Sequence, residues 1–287
     1  MSMKKTTAKY AFFTIDVERF ADTECVCNSK QSVNKTMLDG LERFIGILDK
    51  YNIKATLFVL SDLAYEIKEE LKKHIANGHK IALHGKEHIP PRLISNKQFE
   101  EQITHAKEKI EDMFDVDVMG YRAPCFSIDR DKLNILQNLG FEYDASRIDF
   151  SGARHTEHMD MDDYDKIGTE IYKKDNFYEF GISVQNIFGK KFPVSGGGYI
   201  RISNWLFAKT MLKRYLKNSD NYVFYSHPFE FSKEKMPKIK NLKFYDRFYL
   251  KFGTLTYPYK LEYIIKKLKK YGYSFSTFED IINYDTE

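Results

Sequence analysis

Apolar and polar positions along the chain switch repeatedly between a period of two and a period near 3.6. "YAFFTID" (10–16) is a short run rich in aromatic and β-branched residues, which predicts a buried strand. From Asn34 to Tyr51 the apolar positions Met37, Leu38, Leu41, Phe44, Ile45 and Leu48 recur at helical spacing. "KATLFVL" (54–60) predicts a second strand, and Ser61 is placed to cap a helix that runs to about Asn77, where Gly78 supplies a stop. "KIALH" predicts a third strand, a charged helix spans about Asn96 to Phe114, and "VDVMGYR" (116–122) predicts a fourth strand. "DRDKLNILQNLG" reads as a helix ending at Gly140, and "FEYDAS" as the strand after it.

Alternating strands and helices, with nearly continuous apolar strands, predict a parallel sheet covered by helices. Functional groups in such sheets and barrels sit at the C-terminal ends of strands, which is where Asp16, His84 and Arg122 fall. The second half is less regular. "SGARHTEHMDMDDYDKIG" (151–168) reads as a long acidic loop and "SGGGYIR" (195–201) as a glycine-rich turn opening a strand. "NWLFAKTMLKRYLKN" (204–218) is a helix, and "YVFYSH" (222–227) a strand with a His at its end. No repeat or low-complexity linker separates the halves, so a single domain over residues 1–287 is expected.

Composition narrows this only a little. With 287 residues, 43% of them hydrophobic, the chain can build one large domain or two small ones. Forty-five basic against 41 acidic residues give no general affinity for nucleic acid. Cys25, Cys27 and Cys125 cannot make a disulfide framework, which fits a reducing compartment, and CxC is not the usual CxxC metal spacing. The basic start meets only a brief apolar run, and no window nears the roughly 20 apolar residues of a membrane span, so a cytoplasmic protein is expected. One tract is strongly basic: Lys233 to Lys270 holds twelve Lys or Arg against three acids. Within it, Leu261, Ile264, Ile265 and Leu268 share one helical face, while Lys266, Lys267, Lys269 and Lys270 lie off it. A surface helix is the simple reading; peripheral contact with an anionic membrane, or with a pyrophosphate-linked or nucleotide-linked sugar, is the alternative.

Two imidazoles and a carboxylate form the set that catalytic zinc uses while keeping a position open. "HGKEH" offers His84 and His88, and "TIDVE" offers Asp16 and Glu18. A pair of histidines four apart is by itself a weak signal, since solvated or hydrogen-bonded rings share that spacing, and "HTEHMDMDD" (155–163) is a rival cluster. Arg122 and His227 taken singly read as a structural ion pair and a strand-end histidine, and Asp144 as a turn cap or a helper of either.

Taken together these segments point further. "HGKEH" resembles the HGxxH element of the polysaccharide deacetylases, the carbohydrate esterases with a NodB-type domain. "FTIDVE", "KATLFVL", "GYRAPCFSI" and "YSHPFEF" resemble other segments of that family in the same order, and "GGGYIR" is similar to a segment of the branch whose first motif reads DVE. The resemblance covers about residues 10 to 285 and implies an α/β fold, a distorted (β/α) barrel with fewer than eight strands. It implies a divalent ion, zinc foremost with cobalt or nickel as alternatives, on His84, His88 and a carboxylate, with Glu18 preferred to Asp16. Asp16 would be the base for the hydrolytic water, Arg122 would hold it ionised, and His227 would protonate the leaving amine. Tyr199 and Trp205 are candidates to stack on a sugar. The implied substrate is an N-acetylated amino sugar, lipid-linked or nucleotide-linked if the protein works inside the cell. A hydrolase of a cyclic ureide, or a glycan-binding protein that has lost catalysis, are the alternatives. The first motif departs from the commoner adjacent aspartates by Val17, and Arg19 stands where many DVE relatives carry an acid.

Overall fold

A computed structural model describes residues 8–150 and 159–286. Its first strand, β1 (Tyr10–Val17), separates two cores by simple alternation. Ala11, Phe13, Ile15 and Val17 face the covering helices, whereas Phe12 packs into a second cluster with Phe58, Ala82, Tyr143 and Phe180. Positions 14 and 16 continue the inner face, so Asp16 emerges above that inner apolar layer.

The elements of the first half are β1, α1 (Glu24–Cys27), α2 (Asp39–Asp49), β2 (Ala55–Leu60), α3 (Ser61–Ala64), α4 (Lys68–Ala76), β3 (Lys80–Gly85), α5 (Asn96–Phe114), β4 (Gly120–Tyr121), α6 (Arg130–Asn138) and β5 (Tyr143–Asp144). Next come β6 (Asp165–Gly168), β7 (Ile171–Lys174), β8 (Phe177–Phe180), β9 (Val184–Ile187), β10 (Lys190–Pro193), α7 (Gly197–Ile202) and α8 (Trp205–Asn218). The chain ends with β11 (Asn221–Phe224), α9 (Phe244–Lys251), α10 (Tyr257–Lys270), β12 (Ser274–Ser276) and α11 (Phe278–Thr286). The main sheet runs β11-β1-β2-β3-β4-β5-β8-β7-β6, with β12 also paired to β1. From β11 to β8 all pairings are parallel, and the sheet curls into an open, distorted barrel. Its parallel wall therefore has seven strands, fewer than eight as expected, but the antiparallel β7 and β6 and the short β12 bring the sheet to ten. Phe278 on α11 plugs the inner layer, with its ring 4.2 Å from Phe180 and 4.9 Å from Phe12.

Several predicted elements differ in detail. The first helix begins at Asp39 rather than Asn34, because Met37 takes a left-handed φ of 56° and turns the chain into it. The helix after β2 is broken into α3 and α4, and Ser61 does not cap it: its hydroxyl is buried without a hydrogen-bond partner. β4 is only two residues long because the Val118 backbone bonds instead to Glu111 and Lys107 on α5. Part of the presumed acidic loop is β6, and the glycine-rich segment opens helix α7 rather than a strand.

The covering helices reach the site at one tight approach. A Cβ on Gly40 of α2 would lie 1.8 Å from the Pro228 carbonyl oxygen, in the turn that follows His227. Gly40→Ala must push helix and turn apart, so we expect a loss of about 1–3 kcal/mol in denaturant unfolding. An unchanged midpoint would mean that the approach is looser than described.

Candidate active site

Each end of the parallel wall delivers its side chain for a local reason. On β1 the i, i+2 alternation turns Asp16 and Glu18 to the same side, and both are buried. Val17 between them is fully buried in the outer core, so an acid there would face the helices and not the site. On β3 the register with β2 passes from Val59–Leu83 to Leu60–Gly85, leaving His84 as the extra residue of a bulge. Gly85 follows with φ of 109°, a turn open to glycine, and swings His88 back until its ring centroid is 5.4 Å from that of His84.

The His84 Nδ1 lies 2.7 Å from the Arg122 carbonyl oxygen. Bonding to a carbonyl requires a proton on Nδ1, which leaves the Nε2 lone pair for the cavity. Burial pushes the His84 pKa down to about 4, so the ring is neutral, as a ligand must be. The His88 Nε2 sits 2.8 Å from Glu18 Oε2, yet Oε2 has no partner in hydrogen-bond geometry. Burial works to raise the Glu18 pKa, but the imidazoles of His88 and His227 outweigh it and hold the carboxyl near 2. Glu18, His84 and His88 present donor atoms within 4.8 Å of one another. Two neutral-capable nitrogens and one anionic oxygen, close together with an unsatisfied buried lone pair, suit a divalent ion such as zinc. These three are the residues expected from the sequence.

Around them stand the other groups. The Asp16 Oδ1 accepts from Arg122 Nη1 at 2.7 Å. Arg122 is fully buried over the Phe58 ring, at 4.0 Å, and also donates to the Ala145 carbonyl and the Thr14 hydroxyl. It is thus locked in place, and its charge faces Asp16. His227 Nε2 is 4.0 Å from both Asp16 Oδ2 and Glu18 Oε1, too far for a hydrogen bond. Burial acts to lower the His227 pKa, but Glu18 and Glu230 prevail and raise it to about 9. Arg19 does not enter the site: its guanidinium pairs with Asp22 and Glu66 and lines no part of the cavity.

The cavity has a volume of about 400 Å³ and is walled by Tyr199, Tyr225, Tyr245 and Tyr249 beside the acids and histidines. Tyr199 thus lines this cavity. Trp205 lines a neighbouring cavity instead, its ring 5.1 Å from Tyr263. Lys266, Lys267, Lys269 and Lys270 do not line the catalytic cavity; Lys269 lies over Tyr51 and Phe275, and Lys267 over Tyr263. Residues 155–158 of the rival cluster lie outside the described residues. Asp144 caps its own turn, accepting from the Ser146 amide and hydroxyl at 3.0 and 2.8 Å, and does not bond to Arg122 or His227.

Sequence reasoning missed Glu230. This buried carboxylate accepts from Arg201 Nε at 2.7 Å and from the Ser226 hydroxyl at 2.7 Å, and stands 3.3 Å from His227 Nδ1. Its position three residues after His227, in "HPFE", was a readable signal for an orienting partner. The glycines of "GGGYIR" make room for this frame: a Cβ on Gly198 would stand 2.4 Å from the Tyr249 ring, and Gly197 needs φ of 52° against Tyr225.

A second buried carboxyl pair should link stability to pH. Asp144 and Glu179 are opposite in register on β5 and β8, and both are fully buried. Burial raises both, and the neighbouring Asp144 charge drives Glu179 well above the usual carboxylate range. A folded pKa above the unfolded one means that the fold binds the proton more tightly, so this contribution is full at low pH and fades as pH rises. The thermal midpoint should therefore fall between pH 5 and pH 8 for this reason, and Glu179→Gln should flatten that fall. An identical pH slope in the variant would refute this linkage.

The architecture is the distorted barrel of the NodB type. Comparison with known proteins agrees: the polysaccharide deacetylase model matches residues 27–143, and a model for a domain of unknown function (DUF3473) matches residues 151–282. The polysaccharide deacetylase match thus spans β2 to β4 of the parallel wall and stops at β5. A peptidoglycan deacetylase of Helicobacter pylori is 29% identical over 107 residues, 37% of this chain and 36% of that protein, so the match spans about a third of the relative's length. Among solved structures, a putative polysaccharide deacetylase from Mycobacterium smegmatis shares the fold with a TM-score of 0.62 at 18% identity, covering 99% of this chain and 92% of that one. An allantoinase (TM-score 0.60, 14% identity, 98% and 91% covered) and a Bacillus anthracis pseudoenzyme of the carbohydrate esterase class (0.55, 14%, 96% and 66%) share it too.

Proposed function

We propose that the protein is a metal-dependent hydrolase that removes the N-acetyl group from an amino sugar, in the branch of the family with a DVE first motif. One observation carries this reading: Glu18, His84 and His88 converge beside an Arg-held carboxylate, with His227 facing both acids across the cavity. The ion, zinc by its N/N/O ligands, would rest on those three residues and would supply Lewis acidity at the amide carbonyl and a lowered pKa for the attacking water. Asp16, held in place by the hydrogen bond from Arg122, takes the proton of that water. His227, oriented by Glu230 and cationic at neutral pH, gives its proton to the departing amine nitrogen. Tyr199 contributes an aromatic wall for the sugar ring. The whole chain acts as one catalytic domain, since β11 and β12 of the second half pair with β1 of the first. A cytoplasmic setting and a lipid- or nucleotide-linked precursor of surface polysaccharide complete the proposal.

The pairing of Arg19 with Glu66 and Asp22 favours an active enzyme over a glycan-binding relative, because no cation intrudes on the ligands. The test is acetate release from a panel of N-acetylated amino sugars with zinc, cobalt or nickel added, and allantoin hydrolysis alongside. Acetate release restricted to the metal-loaded protein supports the proposal. Turnover of allantoin alone, or of nothing with metal bound, rejects it.

A further inference from the structure

Next to the catalytic cavity lies a larger one, about 970 Å³, and Ile202 and Ser203 line both. It is built wholly from residues 201–263, inside the segment matched as a domain of unknown function. Its walls include Trp205, Phe244, Phe248, Phe252, Leu255 and Tyr259. Large apolar side chains stand in water here: Phe244 is 86% exposed, Leu255 82% and Tyr259 74%. On α9, Phe244 and Phe248 recur four apart, and Phe252 just beyond the helix stacks on Phe248 at 4.6 Å. Contiguous exposed apolar surface of this kind marks a binding site.

Arg247 and Lys251, also four apart on α9, line the same cavity, and no carboxylate among the described residues pairs with either. Lys260 is buried at its floor and donates to the carbonyls of Ile200 and Arg201. A peptide laid in this groove would bring backbone amides that need partners, and its walls of aromatic and aliphatic carbon offer few. A hydrocarbon chain makes no such demand. The cations answer an anionic group joined to it.

We propose that this cavity binds the hydrocarbon chain of a lipid-linked substrate, an N-acetylated amino sugar attached through phosphate to an isoprenoid or acyl chain, whose sugar occupies the catalytic cavity. The sugar half rests on the deacetylase reading; the chain half rests on the cavity alone. Arg247 and Lys251 neutralise the phosphate, and each methylene that leaves water adds roughly three- to fourfold in affinity.

Trp205 is the only tryptophan of the chain, so its emission reports occupancy of this cavity without any catalysis. Dodecyl phosphate, kept below its micelle concentration, is titrated against the full chain. The expected result is a saturable blue shift, at least tenfold weaker in Phe248→Asp and in Leu255→Asp, the latter at a position too exposed to threaten folding. No saturable shift, or equal midpoints in both variants, overturns the proposal. So does a shift seen with phosphatidylglycerol vesicles but not with the single-chain probe, which would make the surface a bilayer dock. A second arm compares methyl and dodecyl glycosides of N-acetylglucosamine. Equal kcat/KM for the two overturns the chain site and leaves the deacetylase reading intact. Saturable binding without turnover of either glycoside supports the chain site and rejects deacetylation.

Discussion

His84→Ala should abolish metal binding and turnover together while leaving the fold in place. The ring offers Nε2 to the ion and is fixed through Nδ1 to the Arg122 carbonyl. Loss of an outer partner of a metal ligand costs about 10–100-fold in affinity or activity, so loss of the ligand itself should exceed about 100-fold. His84 belongs to the bulge and not to the register of β2 with β3, so the strand pairing survives the change. The check is metal content after dialysis, acetate release, and a far-ultraviolet dichroism spectrum on one preparation. Full metal retention would remove His84 from the ligand set.

His227→Ala should do something different: keep the metal and lose turnover. Its Nε2 is 4.0 Å from the nearest acids, and it lies outside the group of converging donors. Its tie to Glu230 fits a proton donor, because a carboxylate at Nδ1 favours the charged ring. A positioned acid is worth about 10²–10⁴-fold, so kcat should fall by that factor with little change in KM. Equal metal loss in both variants would contradict the division of roles.

Much of this was legible because strand physics is local. The apolar runs at 10–16, 54–60 and 80–84 announced the parallel wall, and Asp16 and His84 stand at the ends of the first and third of them. Glu18 was harder to choose over Asp16 from sequence, since both share a face; the salt bridge from Arg122 separates them by claiming Asp16. What stayed hidden depends on long-range contacts. Glu230 acquires meaning only when Arg201, 29 positions earlier, folds onto it. Trp205 looked like a sugar platform, yet α8 turns it onto Tyr263 and into the second cavity. The edge strand β6 was masked by its polar composition, with Asp165, Lys166 and Ile167 exposed.

The central assertion is a single ion held by one acid and two imidazoles, and crystals of the zinc-soaked protein measured at the metal's absorption edge test it most directly. The account predicts one strong anomalous peak, about 2.0–2.2 Å from a nitrogen of His84, a nitrogen of His88 and an oxygen of Glu18. A peak at Glu42, Glu70 and His74 instead, where the other convergent donors among the described residues lie, would contradict it. So would a peak in the 155–163 segment, or none at all at full zinc loading.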